Sequence, residues 1–161
     1  MGFKFNLKLV NLKQVMPLLS LLLLFPVAVM AIDELNTADQ LALKGYDPVS
    51  YFDGKPVKGD PAISSMHNNA EYYFISQKNK DRFRLMPEKY APMYGGFCAY
   101  GVRMGKKLDI DPLAFEINDG HLYVLLNRAT HKMWKQDMEK NIQISDMLWP
   151  QIQIKSVDSL N

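Results

Sequence analysis

The sequence predicts a small α+β domain made of antiparallel hairpins, a short middle helix and a long C-terminal helix. Three observations lead to this fold class. Two β-rich stretches fold back across turn dipeptides, Asn68-Asn69 and Asp119-Gly120, and the apolar pattern changes to a helical period after Asn127. Strands and helices do not alternate regularly along the chain. Regular alternation is typical of a parallel sheet, so its absence favours antiparallel pairing.

The first hairpin is predicted around the two asparagines. The stretch AEYYFIS, residues 70–76, is rich in aromatic side chains, which favour β-strands. It is expected to pair with residues 62–66, because asparagine suits the backbone of a tight turn. Upstream, the Tyr46-Asp47-Pro48 segment is predicted to be a structural turn, in which the carboxylate of Asp47 accepts local backbone hydrogen bonds.

The middle helix is predicted to follow directly after this hairpin. Ser76 is a good N-cap, since its hydroxyl can accept a hydrogen bond from the first turn of a helix. The helix is expected to run from Gln77 to about Met86, with Phe83 and Met86 facing inward. Pro87 should then end or interrupt it, because proline lacks the backbone donor that a helix needs.

The last helix is predicted after the second hairpin. Asn127 or Thr130 could cap its start, Pro150 is expected to end it, and a bend is expected near Asn141. The chain after Ile154 is expected to be loosely attached. The apolar residues of this helix fall near one face: Trp134, Met138, Ile142 and Trp149.

The N-terminus has the layout of a secretory signal peptide. Three lysines and no acidic residue occur in residues 1–15, and an apolar run extends from Met16 to Ala31. Val29 and Ala31 fit the small-residue positions of a cleavage site, so residues 1–31 are expected to be removed on export to the periplasm. The run is short for a membrane-spanning helix, which needs about 20 residues. An uncleaved N-terminal anchor is the alternative.

The rest of the chain is expected to form one domain over residues 32–154, followed by a tail over residues 155–161. The net charge of +2 comes from the signal, whose three lysines leave a charge of −1 on the remainder. No basic patch indicates a nucleic-acid partner, and no second apolar run is long enough to span a membrane. We therefore expect neither a nucleic acid nor, after signal cleavage, a membrane as the partner.

Four segments of this chain resemble the YHS-domain family of small exported bacterial proteins. They are GYDPVSYF, EYYFISQKNKDRFRLMPEKYAPMYGGFCAYGV, INDGHLYVLLN and ISDMLWP, which together extend over about residues 41–152. The resemblance implies a compact domain similar to a module of copper and heavy-metal handling proteins, for which metal binding is usually inferred. The Tyr-His-Ser triplet that names the family is absent, and the corresponding strand has Tyr73-Phe74-Ile75-Ser76.

The single cysteine, Cys98, is the main candidate for a metal site. A thiolate is a soft ligand that suits copper, and the thioethers of Met93 and Met104 flank it in sequence. His67 could add a nitrogen ligand if the first hairpin folds back over the glycines before Cys98. These four residues form the predicted site for Cu(I) or another transition-metal ion. No CxxC or other dense ligand spacing supports it, and a small buried residue is the alternative for Cys98.

Three classes of function follow from these observations. The first is an exported module that binds or transports a soft metal ion, with the ion or a periplasmic protein as its partner. The second is a small-ligand or protein-interaction module, whose tyrosines would form amphipathic walls around a pocket and whose cysteine is structural. The third is a thiol-dependent redox protein, which would need an accessible cysteine with a lowered pKa. A module without enzymatic activity is favoured, with metal binding as the leading hypothesis.

Overall fold

A computed structural model describes residues 1–2 and 34–160 of the chain. It confirms the predicted fold class: two sheets, each containing an antiparallel hairpin, pack with helices in a mixed α+β domain. The predicted signal peptide and its cleavage after Ala31 fall almost entirely outside the described residues. Within the described ranges, no helix has the length and apolar character needed to cross a membrane.

The first sheet contains the hairpin predicted around the two asparagines. Asn68 and Asn69 have φ angles of 47° and 63°, which asparagine tolerates better than most residues. Its four strands are β1 (Thr37–Ala38), β2 (Leu41–Ala42), β3 (Asp60–His67) and β4 (Ala70–Phe74). They lie in the order β1-β2-β4-β3, with one parallel bridge between β2 and β4.

The alternation of side chains along β4 determines which tyrosine enters the core. Ala70, Tyr72 and Phe74 are buried, whereas Glu71 and Tyr73 lie between them on the opposite face. Tyr72 therefore points towards the helices that pack on this sheet, and its ring lies 4.7 Å from that of a phenylalanine in the first of them.

The second sheet is the other predicted hairpin. It pairs β5 (Asp111–Asn118) with β6 (His121–Leu125). Asp119 and Gly120 form its turn, both with positive φ, as expected for an Asp-Gly dipeptide. Four consecutive residues of β6 are buried, and because side chains alternate between the two faces of a strand, both faces of β6 are covered.

The middle helix was predicted correctly, apart from the direction of one side chain. Helix α1 (Gln77–Leu85) begins after Ser76, whose hydroxyl accepts a backbone N–H of the first turn. Phe83 is buried as predicted, but Met86 is 49% exposed, so its predicted inward position is wrong. The reason is that Met86 has a non-helical backbone, between the end of α1 and the start of α2 (Pro87–Tyr90).

The C-terminal region contains two helices where the sequence predicted one. Helix α4 (Arg128–Gln136) is capped by Asn127 as predicted, and the long helix is α5 (Met138–Ile152). The break lies at Asp137, where φ is −151° and ψ is 62°, and not near Asn141. Pro150 lies inside α5 rather than at its end, and the helix continues for only two residues beyond it.

The two tryptophans lie on different helices and are buried to different extents. Trp134 of α4 is fully buried, whereas Trp149 of α5 is half-buried. The segment after Ile154 is not loosely attached, contrary to the prediction. It forms a short 3₁₀ turn, from which Val157 and Leu160 pack against the core.

Candidate functional site

The sulfur of Cys98 lies in the interior of the domain. Cys98 immediately precedes helix α3 (Ala99–Arg103), and its side chain is fully buried. The sulfur accepts the backbone N–H of Leu126 at 3.1 Å and that of Gly101 at 3.4 Å. Its own backbone N–H donates to the carbonyl of Leu108 at 2.9 Å. Cys98 thus joins α3 to the end of β6 and to the loop before β5.

Burial raises the pKa of the Cys98 thiol, because the loss of hydration outweighs the N–H groups that donate to the sulfur. A raised pKa keeps the thiol neutral at physiological pH, while nucleophilic attack and metal binding both require the thiolate. The burial that the sequence left as the alternative for Cys98 is confirmed. Its surroundings are those of a small buried residue that packs and accepts hydrogen bonds.

The other three predicted ligands lie in surroundings that differ from those of Cys98. Met104 follows α3 and is 57% exposed. His67 ends β3, where its Nε2 lies 3.2 Å from a carboxylate oxygen of Glu88. Met93 and His67 both line cavities, but these are two different cavities. Within residues 1–2 and 34–160, no group of three or more His, Cys, Asp or Glu side chains is placed to hold a metal ion.

The cavity that contains His67 brings together polar and aromatic side chains from distant parts of the chain. It has a volume of about 430 Å³ and lies between the β3–β4 turn, α2 and the end of α5. We call it the Tyr72 cavity. Its polar and aromatic lining residues include Glu34, His67, Tyr72, Glu88, Trp149 and Gln153.

The hydroxyl of Tyr72 has no hydrogen-bond partner among the described residues. Tyr72 is only 4% exposed, but its oxygen is not completely enclosed by the protein. Because the side chain lines the cavity, the oxygen opens into it. Burial and the negative charge of Glu88 raise the pKa of Tyr72 to about 12, which keeps the hydroxyl protonated.

His67 and Glu88 form the polar edge of this cavity. The Nε2 atom of His67 lies 3.2 Å from Glu88 and 3.1 Å from the side-chain amide of Asn68. The nitrogen can donate to Glu88 or accept from Asn68, but one tautomer cannot do both. His67 is held edge-on against Phe83, whereas the side chain of Glu88 is 81% exposed. The edge therefore combines a fixed imidazole with a carboxylate that is free to move.

A second cavity of about 600 Å³ lies along the first half of α5. We call it the Asp146 cavity. Tyr94 stands between the two cavities: its hydroxyl donates to Asp146 at 2.9 Å, and its ring lies 6.0 Å from that of Trp149 in the Tyr72 cavity. The lining of the Asp146 cavity includes Met93, Asp119, His121, Tyr123, Glu139 and Asp146.

The Asp47 turn is a further buried polar cluster, and it confirms the structural role predicted for it. The Asp47 carboxylate is fully buried and accepts the backbone N–H of Val49 at 2.8 Å and that of Ile75 at 2.9 Å. The side-chain amide of Asn79 donates to it at 2.7 Å. These donors satisfy the carboxylate within the protein, so the cluster joins the turn to β4 and α1 and offers nothing to a ligand.

Sequence reasoning placed His67 near Cys98 and did not identify Glu88, Tyr72 or Trp149 as a group. These residues come from β3, α2, β4 and α5, and no local spacing connects them. The only available signal was general: the chain is rich in tyrosine, which predicted amphipathic pocket walls without saying which tyrosines form them. The alternation along β4 distinguishes Tyr72 from Tyr73, once the strand register is known.

Comparisons with known proteins do not add to these observations. No family model, no curated protein and no solved structure matches this chain. The resemblance to the YHS-domain family therefore stays a prediction from the sequence.

Proposed function

We propose that this protein is an exported module that binds a small molecule in the Tyr72 cavity, without enzymatic activity, and that Cys98 is a structural residue. The observation that carries this proposal is the Tyr72 hydroxyl, which is buried, lacks a hydrogen-bond partner among the described residues and opens into the cavity. Export depends on the predicted signal peptide and is part of the proposal.

The physical argument begins with the hydroxyl itself. A buried polar group without a hydrogen bond costs about 1–3 kcal/mol, so folded proteins seldom retain one without a use for it. Asp47, in the same domain, is fully satisfied by protein donors. A ligand, or ordered water that a ligand displaces, is the natural partner of Tyr72.

The rest of the cavity has the properties of a small-molecule site. Such sites are concave, combine apolar or aromatic walls with a few polar groups, and begin at about 300 Å³. Here Trp149 supplies an aromatic wall, while His67 and Glu88 supply an imidazole and a carboxylate at the edge. The volume of about 430 Å³ suits a compact organic molecule.

The buried position of Cys98 favours this proposal over a metal or redox role for the thiol. A thiolate ligand must meet the ion, and a redox cysteine must meet its oxidant, but this sulfur is fully covered and its pKa is raised. The predicted partner ligands Met104 and His67 have other surroundings, one on the surface and one beside Glu88.

The test compares two neighbouring tyrosines that face opposite sides of β4. Tyr72→Phe removes the hydroxyl that opens into the cavity, and Tyr73→Phe removes one that does not line it. Thermal unfolding of both variants and of the parent would be measured with spermidine, succinate, glucose and adenosine as probes. A ligand present at 100 times its Kd stabilises the folded state by about 2.7 kcal/mol.

At least one probe should raise the melting temperature of the parent and of Tyr73→Phe in a concentration-dependent way. Tyr72→Phe should bind that probe about tenfold more weakly, because it lacks one hydrogen bond to the ligand. Equal affinity in the two tyrosine variants would show that the Tyr72 hydroxyl is not used. The absence of stabilisation by every probe would count against the proposed function as a whole.

A further inference from the structure

We infer that the ligand is an elongated organic polycation, such as an aliphatic polyamine, with one ammonium group in the Tyr72 cavity and another in the Asp146 cavity. This inference rests on the proposed function and names the chemical class of its ligand. Charge, aromatic lining and the arrangement of the two cavities along one helix lead to it.

The charge of the lining is the first step. Glu34 and Glu88 line the Tyr72 cavity, and no lysine or arginine of the described residues does. Asp119, Glu139 and Asp146 line the Asp146 cavity, and within residues 34–160 no lysine or arginine joins them. Apart from histidines and tyrosines, every ionisable side chain among these described lining residues is a carboxylate. A negative lining attracts cations and repels carboxylates or phosphates.

The Tyr72 hydroxyl is an independent observation that points to a ligand. Tyr72 as a residue is 96% buried, its hydroxyl has no hydrogen-bond partner within the part of the chain that the structure describes, and it opens beside the negative charge of Glu88. Its oxygen can accept a hydrogen bond from an ammonium group that Glu88 attracts. The same position thus offers an oxygen acceptor and a carboxylate to one cation.

The aromatic lining adds a third interaction with the same group. The ring of Trp149 borders the Tyr72 cavity, and tryptophan is the aromatic side chain that attracts cations most strongly. The buried ammonium of Lys107 lies 5.8 Å from the centre of this ring. That ammonium opposes a ligand cation only partly, because it is bound to the carbonyls of Gln153 and Lys155 and does not line the cavity.

The arrangement of the cavities determines the shape of the ligand. Pro92 lines the Tyr72 cavity and the next residue, Met93, lines the other. Helix α5 supplies Met138 at one extreme and Gln153, just past its end, at the other. Fifteen residues of helix span about 22 Å, so the two acidic cavities follow one another along the length of α5. A flexible chain with ammonium groups at intervals can reach both cavities, whereas a compact cation can occupy only one.

The experiment is an isothermal titration of the full domain with spermidine. Suberate, which is a dicarboxylate, and 1,6-hexanediol, which is neutral, serve as elongated probes of other charge. Spermidine should bind, the other two should not, and the affinity should fall as ionic strength rises. Trp149 should report binding by fluorescence, while the fully buried Trp134 gives a constant background.

Three variants locate the binding. Glu88→Gln and Asp146→Asn each remove one carboxylate, in different cavities, and each should weaken spermidine binding about fivefold. The matched control is Glu71→Gln, because Glu71 lies next to Tyr72 on β4 and lines neither cavity. It should bind like the parent.

Each result decides a different point. Equal weakening by Glu88→Gln and Glu71→Gln would mean that spermidine binds through general charge attraction, and would overturn the inference. An effect of Glu88→Gln without one of Asp146→Asn would overturn the part that extends into the second cavity. Binding of suberate or hexanediol that depends on Tyr72, with none of spermidine, would overturn the ligand class and leave the proposed function standing.

Discussion

The Asp47 turn and the Tyr72 cavity each contain a buried polar group, and the two groups differ in their hydrogen bonding. Both groups are almost completely buried, Asp47 at 0% and Tyr72 at 4% exposure. The carboxylate of Asp47 has protein donors from three segments, whereas the hydroxyl of Tyr72 has none among the described residues. Satisfied buried groups hold a fold together, and unsatisfied ones that open into a cavity indicate binding. The following predictions test whether this difference separates structure from function here.

The largest effect is expected from Asp47→Ala. It would leave the N–H groups of Val49 and Ile75 and the amide of Asn79 without their acceptor. The Val49 and Asn79 bonds are buried, and the Ile75 bond is partly buried. Each donor without an acceptor costs about 1–3 kcal/mol, and water relieves part of this cost. The free energy of unfolding should therefore fall by about 3–6 kcal/mol. Urea unfolding would measure it. Asp53→Ala is the control, since Asp53 pairs with Arg82 at the surface, and should change stability by less than about 1 kcal/mol. Similar values for the two variants would contradict the structural role of Asp47.

Trp134→Ala should have the next largest effect. Trp134 is fully buried, so removing its ring should lower the free energy of unfolding by about 3–5 kcal/mol. The Nε1 of Trp134 differs from both of these buried groups, because it has no hydrogen-bond partner among the described residues and is completely enclosed. Trp134→Phe removes that donor and retains most of the ring, so it should destabilise much less than the alanine variant. Guanidinium unfolding of both variants would measure this. An unchanged midpoint for Trp134→Ala would contradict its place in the core.

Cys98→Ser tests whether the buried sulfur is a structural group, like the Asp47 carboxylate, or a binding group, like the Tyr72 hydroxyl. Serine can still accept the N–H groups of Leu126 and Gly101, so the loss of stability should be modest, about 1–2 kcal/mol. We expect Cu(I) affinity, measured by competition with a chromogenic chelator under anaerobic conditions, to be the same in the variant and the parent. Tight Cu(I) binding that disappears in Cys98→Ser would favour the metal hypothesis instead.

The smallest effect at neutral pH is expected from Tyr72→Phe, because the lost hydroxyl has no partner among the described residues and, without a ligand, water in the cavity can hydrate it. Its free energy of unfolding at pH 7 should lie within about 0.5 kcal/mol of the parent value. A difference should appear only in alkali. The folded-state pKa of Tyr72 is raised to about 12, so its protonated form favours folding below pH 10, and this contribution is lost as the pH rises towards 12.

The alkaline loss of stability should therefore be smaller in Tyr72→Phe than in the parent, with Tyr73→Phe as the matched control. Part of the loss should remain in every variant, since burial also raises the pKa of Tyr51 and Tyr94. Urea midpoints at pH 8 and pH 11 would give the comparison. An alkaline loss as large in Tyr72→Phe as in Tyr73→Phe would mean that Tyr72 is more hydrated than its burial indicates.

Local chemistry made the hairpins and the first helix predictable. Asn-Asn and Asp-Gly determine turns through the conformations that their own backbones allow, and Ser76 caps α1 through a bond within four residues. The break at Asp137 contains neither glycine nor proline, so no local signal marks it. Met86 fits the helical face by spacing, but the helix ends one residue earlier and turns it outward.

The candidate site was predicted less well, because it depends on contacts between distant residues. The sequence left burial of Cys98 as the alternative to a metal site, and the residue is buried. It could not show that His67 meets Glu88, 21 positions later, instead of the cysteine. Tyr72 and Tyr73 are adjacent and chemically identical, and only the register of β4 distinguishes the lining residue from its neighbour.

Lys107 has a consequence for the order in which the chain acquires its structure. Its ammonium group is buried and bound to the carbonyl oxygens of Gln153 and Lys155, up to 48 positions further along. A chain that emerges from a ribosome or a translocation pore from its N-terminus presents Lys107 well before these acceptors. Until they arrive, closing the core over Lys107 would enclose a cation without them, which is strongly unfavourable. We therefore expect the core around Lys107 to close only after the segment beyond α5 has emerged.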